Sequence, residues 1–304
     1  MTLVATDSLT TALPGSEASE EAQAEKFVLT LSCGERAGIV QAVTTFLFER
    51  GFNISEHQQF DDGLRQTLHL RTAFTGPSAY TPARLEEEFR SIADRFDMKF
   101  SFHDRTQQRL LVMVSKFGHC LNDLLFRWRG GSLGGDIALI VSNHETHRPM
   151  AEAAGLPFIY LPVTPETKDD AERRLLELVD EHSIDLVVLA RYMQVLSDDL
   201  CRALEGRAIN IHHSFLPGFK GARPYHQAYD RGVKLVGATA HYVTAELDEG
   251  PIIEQEVIRV DHSYGPTALS TVGRDAEALA LSRAVRWHCE HRVLLDRTST
   301  VVFR

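Results

Sequence analysis

The chain has little cysteine, and none of it is arranged for chemistry. Its four cysteines, Cys33, Cys120, Cys201 and Cys289, stand far apart and form no C-x-x-C pair. Dispersed thiols make neither a zinc knuckle nor a disulfide framework, and they suit a reducing, cytoplasmic compartment. H-E-x-x-H and H-x-H spacings are also missing, so no metal is expected. No apolar run approaches the ~18 residues needed to cross a bilayer, which predicts a soluble chain without a membrane partner. Basic charge is short: 32 Lys and Arg stand against 42 Asp and Glu, for a formal net charge of −10. A surface that grips phosphate backbones is normally basic, so nucleic acid is set aside as a partner. The first 25 residues have no Lys or Arg at all, yet hold Asp7, Glu17, Glu20, Glu21 and Glu25. That fits neither a secretory signal nor an Arg-rich transit peptide, and the composition predicts a disordered tail over 1–25.

What is present is ordinary globular material, 43% hydrophobic and 24% charged, and long enough for two domains. Ordered pattern begins at Lys26. "KFVLTLS" reads as a strand, and Ile39, Val40, Val43, Phe46 and Leu47 then recur at helical spacing, with Gly51 where a C-cap glycine belongs. Two strands flank an Asp61-Asp62-Gly63 turn, a Thr-Pro start opens a second helix with Leu85, Phe89 and Ile92 on one stripe, and "MKFSFHD" closes the unit. The order β-α-β-β-α-β is a ferredoxin-like split motif over residues 26–104. Beyond it the pattern changes. "RLLVMVS", "DIALIVS", "PFIYLP" and "DLVVLAR" are short, nearly all-apolar runs separated by helical stretches such as "AERRLLELVDEH". Such alternation predicts an α/β domain over 105–304, a doubly wound and mostly parallel sheet covered on both faces. The last strands, "KLVGATAHYV" and "PIIEQEVIRV", read as antiparallel or mixed, and a final helix is expected at "AEALALSRAVRWHCEHRV".

In open sheets of this kind, ligands bind beyond the carboxyl ends of the strands. "NIHHSFLPGFKG" places an amide and two imidazoles at such an end, followed by a Leu-Pro-Gly turn. Successive side chains of a strand point to opposite faces, so Asn210 and His212 share a face while Ile211 and His213 point the other way. Asn210 and His212 can therefore converge on one ligand, or they can be satisfied polar groups that hold the loop. In "ATAHYVTAELDEGPIIEQ", His241 lies within an alternating strand and Asp248 in a Gly-Pro loop. Asp248 is either a turn residue or, facing His212, half of an acid–base couple. Ser214 has no triad-like order around it and reads as a turn hydroxyl.

The run "NIHHSFLPGFKGARPYHQAYDRGVKLVGATAHYVTAELDEGPIIEQ" resembles the formyltransferase-fold enzymes that use 10-formyltetrahydrofolate. Within that group "VSKFGHCLNDLLFRWR", "GARPYHQAY" and "AVRWHCEHRV" look most like the formyltetrahydrofolate deformylases, and the opening unit resembles an ACT domain, so the likeness covers about residues 26–304. The resemblance implies Asn210, His212 and Asp248 as catalytic residues. It implies a folate-binding loop in "ARYMQVLS", around Gln194, Val195 and Leu196, with His241 beside it. It further implies hydrolysis of a folate substrate to tetrahydrofolate and formate, which balances one-carbon pools and serves purine biosynthesis, with no cofactor. An ACT unit implies an amino-acid effector and a homo-oligomer. Gly118 stands where the family often has Asp, and "CGERAGIV" replaces the Asp-x-Pro-Gly common in ACT domains. The alternative is a formyltransferase acting on glycinamide ribonucleotide. It would need a glycine-rich phosphate cradle after the first parallel strand, where "VSKFGHCLNDLL" offers one glycine. Two other readings are a metal-dependent hydrolase and a folate-binding protein without turnover. His226, in "RPYHQAY", reads as a helix cap rather than a substrate contact.

Overall fold

The computed structural model describes residues 25–218 and 224–304; the expected tail, apart from Glu25, lies outside the described residues. The first sheet is built from β1 (Glu25–Gly34), β2 (Asn53–Asp62), β3 (Thr67–Gly76) and β4 (Lys99–His103), in the order β2-β3-β1-β4. Helices α1 (Ile39–Glu49) and α2 (Pro82–Phe96) connect its strands. Alternation in β1 puts Phe27, Leu29, Leu31 and Cys33 on the buried face. Thr81 caps α2 by accepting from the Arg84 N–H, and Pro82 follows at the first helical position, where its missing N–H costs nothing. Gly51 takes φ +75 just past α1, a left-handed turn that glycine adopts without a Cβ clash. Val40, expected on the apolar stripe of α1, is instead 37% exposed.

The second sheet has seven strands in the order β11-β10-β9-β8-β5-β6-β7. Strands β5 (Arg109–Val114), β6 (Asp136–Ser142), β7 (Phe158–Tyr160), β8 (Leu186–Ala190) and β9 (Ala208–His212) run parallel. β10 (Leu235–Tyr242) and β11 (Ile252–Arg259) join antiparallel at one edge. One face packs on α3 (His119–Arg129) and α8 (Pro266–Cys289) through Ile209, Ile211, Ala238, Ala240, Ala276 and Ala280. The other packs on α5 (Lys168–Glu181) and α6 (Asp198–Ala203) through Leu189, Ala208, Leu175, Cys201 and Val243. The remaining helices are α4 (Arg148–Ala153) and α7 (Pro224–Asp230). Helix α8 starts ten residues before the expected position and ends at Cys289, and a hairpin of β12 (Val293–Asp296) and β13 (Ser299–Val302) follows it. The helix among the described residues with the most apolar stretch is still not long and apolar enough to cross a membrane.

The two sheets meet along a polar seam. Arg71 of β3, 4% exposed, donates to the carbonyls of His291 and Glu290 at 3.1 Å each and to Glu56 at 2.8 Å. Arg292 reaches back to Glu56 at 3.0 Å, Gln58 donates to the Arg304 carbonyl at 3.0 Å, and the rings of His103 and His291 stack at 3.6 Å. The guanidinium of Arg71 thus finds its acceptors across the seam, whereas both ring nitrogens of buried His69 have no hydrogen-bond partner.

Candidate active site

The carboxyl end of β9 carries Asn210 and His212. Antiparallel β10 sets His241 directly opposite Asn210 and Thr239 opposite His212. After β10 the chain turns back sharply. A Cβ at Gly250 would lie 1.7 Å from the Tyr242 carbonyl oxygen, so only glycine allows the return, which the Tyr242 N–H seals on the Pro251 carbonyl at 3.0 Å. This return brings Asp248, at φ +59, against the strand end. A left-handed backbone is uncommon but tolerated by Asp.

Asp248 Oδ1 lies 3.2 Å from His212 Nδ1 and 3.9 Å from His241 Nε2. The hydrogen bond from His212 holds the Asp248 carboxyl below its ordinary value against the opposing pull of burial. His241 Nδ1 donates to the Tyr242 carbonyl at 2.9 Å, which leaves Nε2 as the acceptor for Asn210 Nδ2 at 3.2 Å. Burial pushes His241 below the usual imidazole range, so it stays neutral and fixes the orientation of the amide. His212 is 6% exposed, and its Nε2 is buried with no hydrogen-bond partner. One nitrogen is anchored on a carboxylate and the other is free, the arrangement a proton-transferring imidazole needs.

The second expected segment arrives at the same place. β8 ends at Ala190, and the loop after it takes positive φ at Arg191 and Met193. The backbone there leaves regular structure and presents Gln194, Val195 and Leu196 to a cavity of about 70 Å³ that they share with Asn210, His241 and Asp248. Leu189, Cys201 and Val243 line the same cavity, which places it on the α5/α6 face of the sheet. All seven residues singled out in the sequence thus gather at one sheet end. His241 touches Asn210 as well as lining the cavity. His213, one residue past β9, stacks its ring on His212 at 4.9 Å, and burial followed by the Arg191 charge pushes it down to about 4. Ser214 Oγ donates to the Gly218 carbonyl at 2.9 Å, as a turn hydroxyl does. His226 lies on an exposed position of α7.

Sequence reasoning passed over Glu277, Arg191, His119 and Tyr225, which cluster across the sheet edge from this cavity. One signal was available. Glu277 interrupts the run Gly273, Ala276, Ala280, Leu281 and Ala284 on the buried stripe of α8, where a carboxylate must have partners.

A sheet with an Asn-x-His strand end, a facing Asp and a cavity at its carboxyl edge defines an enzyme of the formyl transferase class, and the chain matches the formyl transferase family over residues 108–285. It is 54% identical to a formyltetrahydrofolate deformylase of Corynebacterium sp. (strain P-1), covering 92% of this chain and 98% of that one. The deformylase of Escherichia coli K12 is 36% identical over 91% of this chain and 98% of its own. The crystal structure of the Burkholderia mallei deformylase superposes with a TM-score of 0.87 at 52% identity, over 92% of this chain and all of that one. A glycinamide ribonucleotide transformylase of Symbiobacterium toebii reaches 0.62 at 29% identity, over 67% of this chain and 97% of its own. The chain belongs to the formyltetrahydrofolate deformylase family.

Proposed function

We propose that the chain hydrolyses 10-formyltetrahydrofolate to tetrahydrofolate and formate, and that Asn210, His212 and Asp248 act on the formyl group. The observation that carries this reading is the free, buried His212 Nε2, backed by Asp248, which lines the cavity together with Asn210. The formyl group on N10 is an amide of an aryl amine. Water adds through oxygen to the formyl carbon, and one of its protons passes to the His212–Asp248 couple. The couple returns that proton to N10 as the C–N bond breaks, and the formic acid released ionises to formate. While the carbon is tetrahedral, its oxygen carries the charge, and the second amide N–H of Asn210 and His212 Nε2–H donate to it. His241 is a positioning residue that acts through Asn210. Gln194, Val195 and Leu196 hold the pterin from the opposite wall.

The finer roles follow from the same reading. Residues 26–104 form an ACT-like regulatory unit that takes an amino-acid effector and joins copies of the chain, and residues 105–304 carry the catalysis. The free edges of the first sheet, β2 and β4, favour pairing with a second copy. A monomeric mass in solution would overturn the pairing. The released formate feeds one-carbon metabolism, purine synthesis included.

The test of the chemistry is formate release from 10-formyltetrahydrofolate by the purified protein with no amine present, beside His212→Ala. Formate from the wild type that is lost in the variant is the expected result. Turnover that begins only when glycinamide ribonucleotide is added would make the chain a transferase instead.

A further inference from the structure

Arg191 stands where strand alternation would not put it. Leu189 packs on the α5/α6 face of the sheet and Ala190 on the α3/α8 face, so the next side chain should return to the α5/α6 side. Instead Arg191 takes φ +64, and its Nε lies 3.2 Å from Glu277 Oε2 on α8. A left-handed backbone is uncommon in a residue with a Cβ, and such strain is concentrated at functional sites. Arg191 is 9% exposed, and its Nε and Nη1 are buried without a hydrogen-bond partner. Its counter-charge is shared: Glu277 Oε1 accepts from the Tyr225 hydroxyl and Oε2 from His119 Nε2, each at 2.7 Å. Burial pushes Glu277 up, but the His119 hydrogen bond and the Arg191 charge outweigh it, and the carboxyl stays ionised.

The catalytic strand end lies alongside. Leu189 of β8 pairs in register with Asn210 of β9, so Arg191, two residues on, comes level with His212. The ring of His213 stacks on that of His212 at 4.9 Å and 29°. His213 also lines a cavity of about 210 Å³ together with Tyr225, the residue that donates to Glu277. Among the described residues, the charged and titratable groups around His213 are His212 of β9, Arg191 after β8, Asp248 after β10, Glu277 of α8 and Tyr225 of α7. Burial does most to push His213 down, and the Arg191 charge comes next. The stacked imidazoles therefore stand between opposite charges: Asp248 Oδ1 is 3.2 Å from His212 Nδ1, and Arg191 acts on His213. Two rings in contact hold a proton each only against mutual repulsion.

We propose, on the basis of the hydrolase reading above, that Arg191 and Asp248 polarise the His212–His213 pair and direct the proton taken from water to His212. Arg191 and His213 are then positioning residues that act through His212. The water oxygen bonds to the formyl carbon, the proton it loses goes to His212 Nε2, and that proton passes to N10 as the C–N bond breaks. A proton already on His213 would repel the one that His212 has to accept.

The experiment measures formate release from 10-formyltetrahydrofolate by the full-length protein, and the ring-nitrogen NMR resonances of labelled histidine in the same samples without substrate. Arg191→Gly removes the charge at a φ that glycine adopts readily, and Arg191→Asn removes it with a side chain that tolerates left-handed backbone. In each, His213, identified by the resonance that His213→Phe lacks, is expected to titrate at least about one pH unit higher than in the wild type. His213 is then protonated on the acid side and sheds its proton as the pH rises. The loss in kcat/KM should accordingly be on the order of fivefold near pH 6 and shrink towards pH 8. In the His213→Phe background, where a ring remains to stack but takes no proton, the same substitutions should cause a loss that does not vary with pH. The same pH-dependent loss in both backgrounds overturns the proposal, as does a His213 that titrates where the wild type does. So does a His213 that moves while the pH profile stays put. Failure of both Arg191 variants to fold, read by circular dichroism, makes Arg191 structural and overturns it too. Absence of formate from the wild type without amine is a separate failure, that of the hydrolase reading, and the histidine titration needs no substrate.

Discussion

Between β1–β4 and their two helices the core is rich in phenylalanine, whereas the seven-stranded sheet is packed with valine, leucine, isoleucine and alanine. Phe27, Phe46, Phe52, Phe74, Phe89 and Phe102 are all buried in the first core, and most neighbouring rings meet edge to face, as Phe46 and Phe89 do at 76°. A unit of this size encloses little volume, so each side chain has to cover much surface, and large rings do so with few residues. In the second core, Ala238, Ala240, Ala276, Ala280 and Ala284 let α8 lie close to the sheet. Stability there is spread over many small contacts. Both sheets nevertheless hold buried polar atoms without a hydrogen-bond partner, His212 Nε2 at the end of β9 and the two ring nitrogens of His69 in β3.

The comparison breaks first at Phe89, which is fully buried among Phe46, Phe100 and Phe102. Phe89→Ala is expected to cost about 3–5 kcal/mol in urea unfolding. A cost below about 1 kcal/mol would mean that the small core does not hang on single rings. Next comes Asn210→Ala, expected to lower kcat for formate release by about 10²–10³. Its unfolding midpoint should move far less than that of Phe89→Ala; a large shift in the midpoint would make Asn210 structural. The smallest effect sharpens the seam. Burial pushes His288 down to about 4, and burial helped by the neighbouring His103 pushes His291 down to about 3. Both are neutral in the fold, while unfolded imidazoles take up protons once the pH drops below their ordinary value of about 6.5. The unfolded state then binds more protons, so stability is full above about 6.5 and declines as the pH falls toward these folded values. Melting temperature against pH should show that decline, and His291→Asn should flatten it.

Much of this molecule is written in its periodicities. Alternation in "KFVLTLS" and the short apolar runs from Arg109 onward yield both sheets, and period-2 geometry separates Asn210 and His212 from His213 before any coordinates are seen. The failures have physical causes. The first turns of α8 hold Thr267, Ser270 and Thr271, weak helix formers with exposed sides, so tertiary packing rather than local pattern starts the helix at Pro266. The β12–β13 hairpin has no glycine in its turn; Arg297 takes φ +57 there, and nothing in "LLDRTSTVV" announces it. The cluster of Glu277, Arg191, Tyr225 and His119 was hidden because its members come from four separate stretches of sequence, and Arg191 takes a left-handed conformation more usual for glycine.

The seam has a consequence for how the protein is made. The carbonyls that satisfy Arg71 lie 219 and 220 residues further along the chain. A growing polypeptide completes every strand of its first sheet long before those acceptors leave the ribosome. Until then His69 and Arg71 face water instead of protein. The segment from Glu290 onward therefore works as a closing clasp: its arrival turns two neighbouring sheets into one body, and a chain stalled before it would display a polar stripe that the finished molecule never shows.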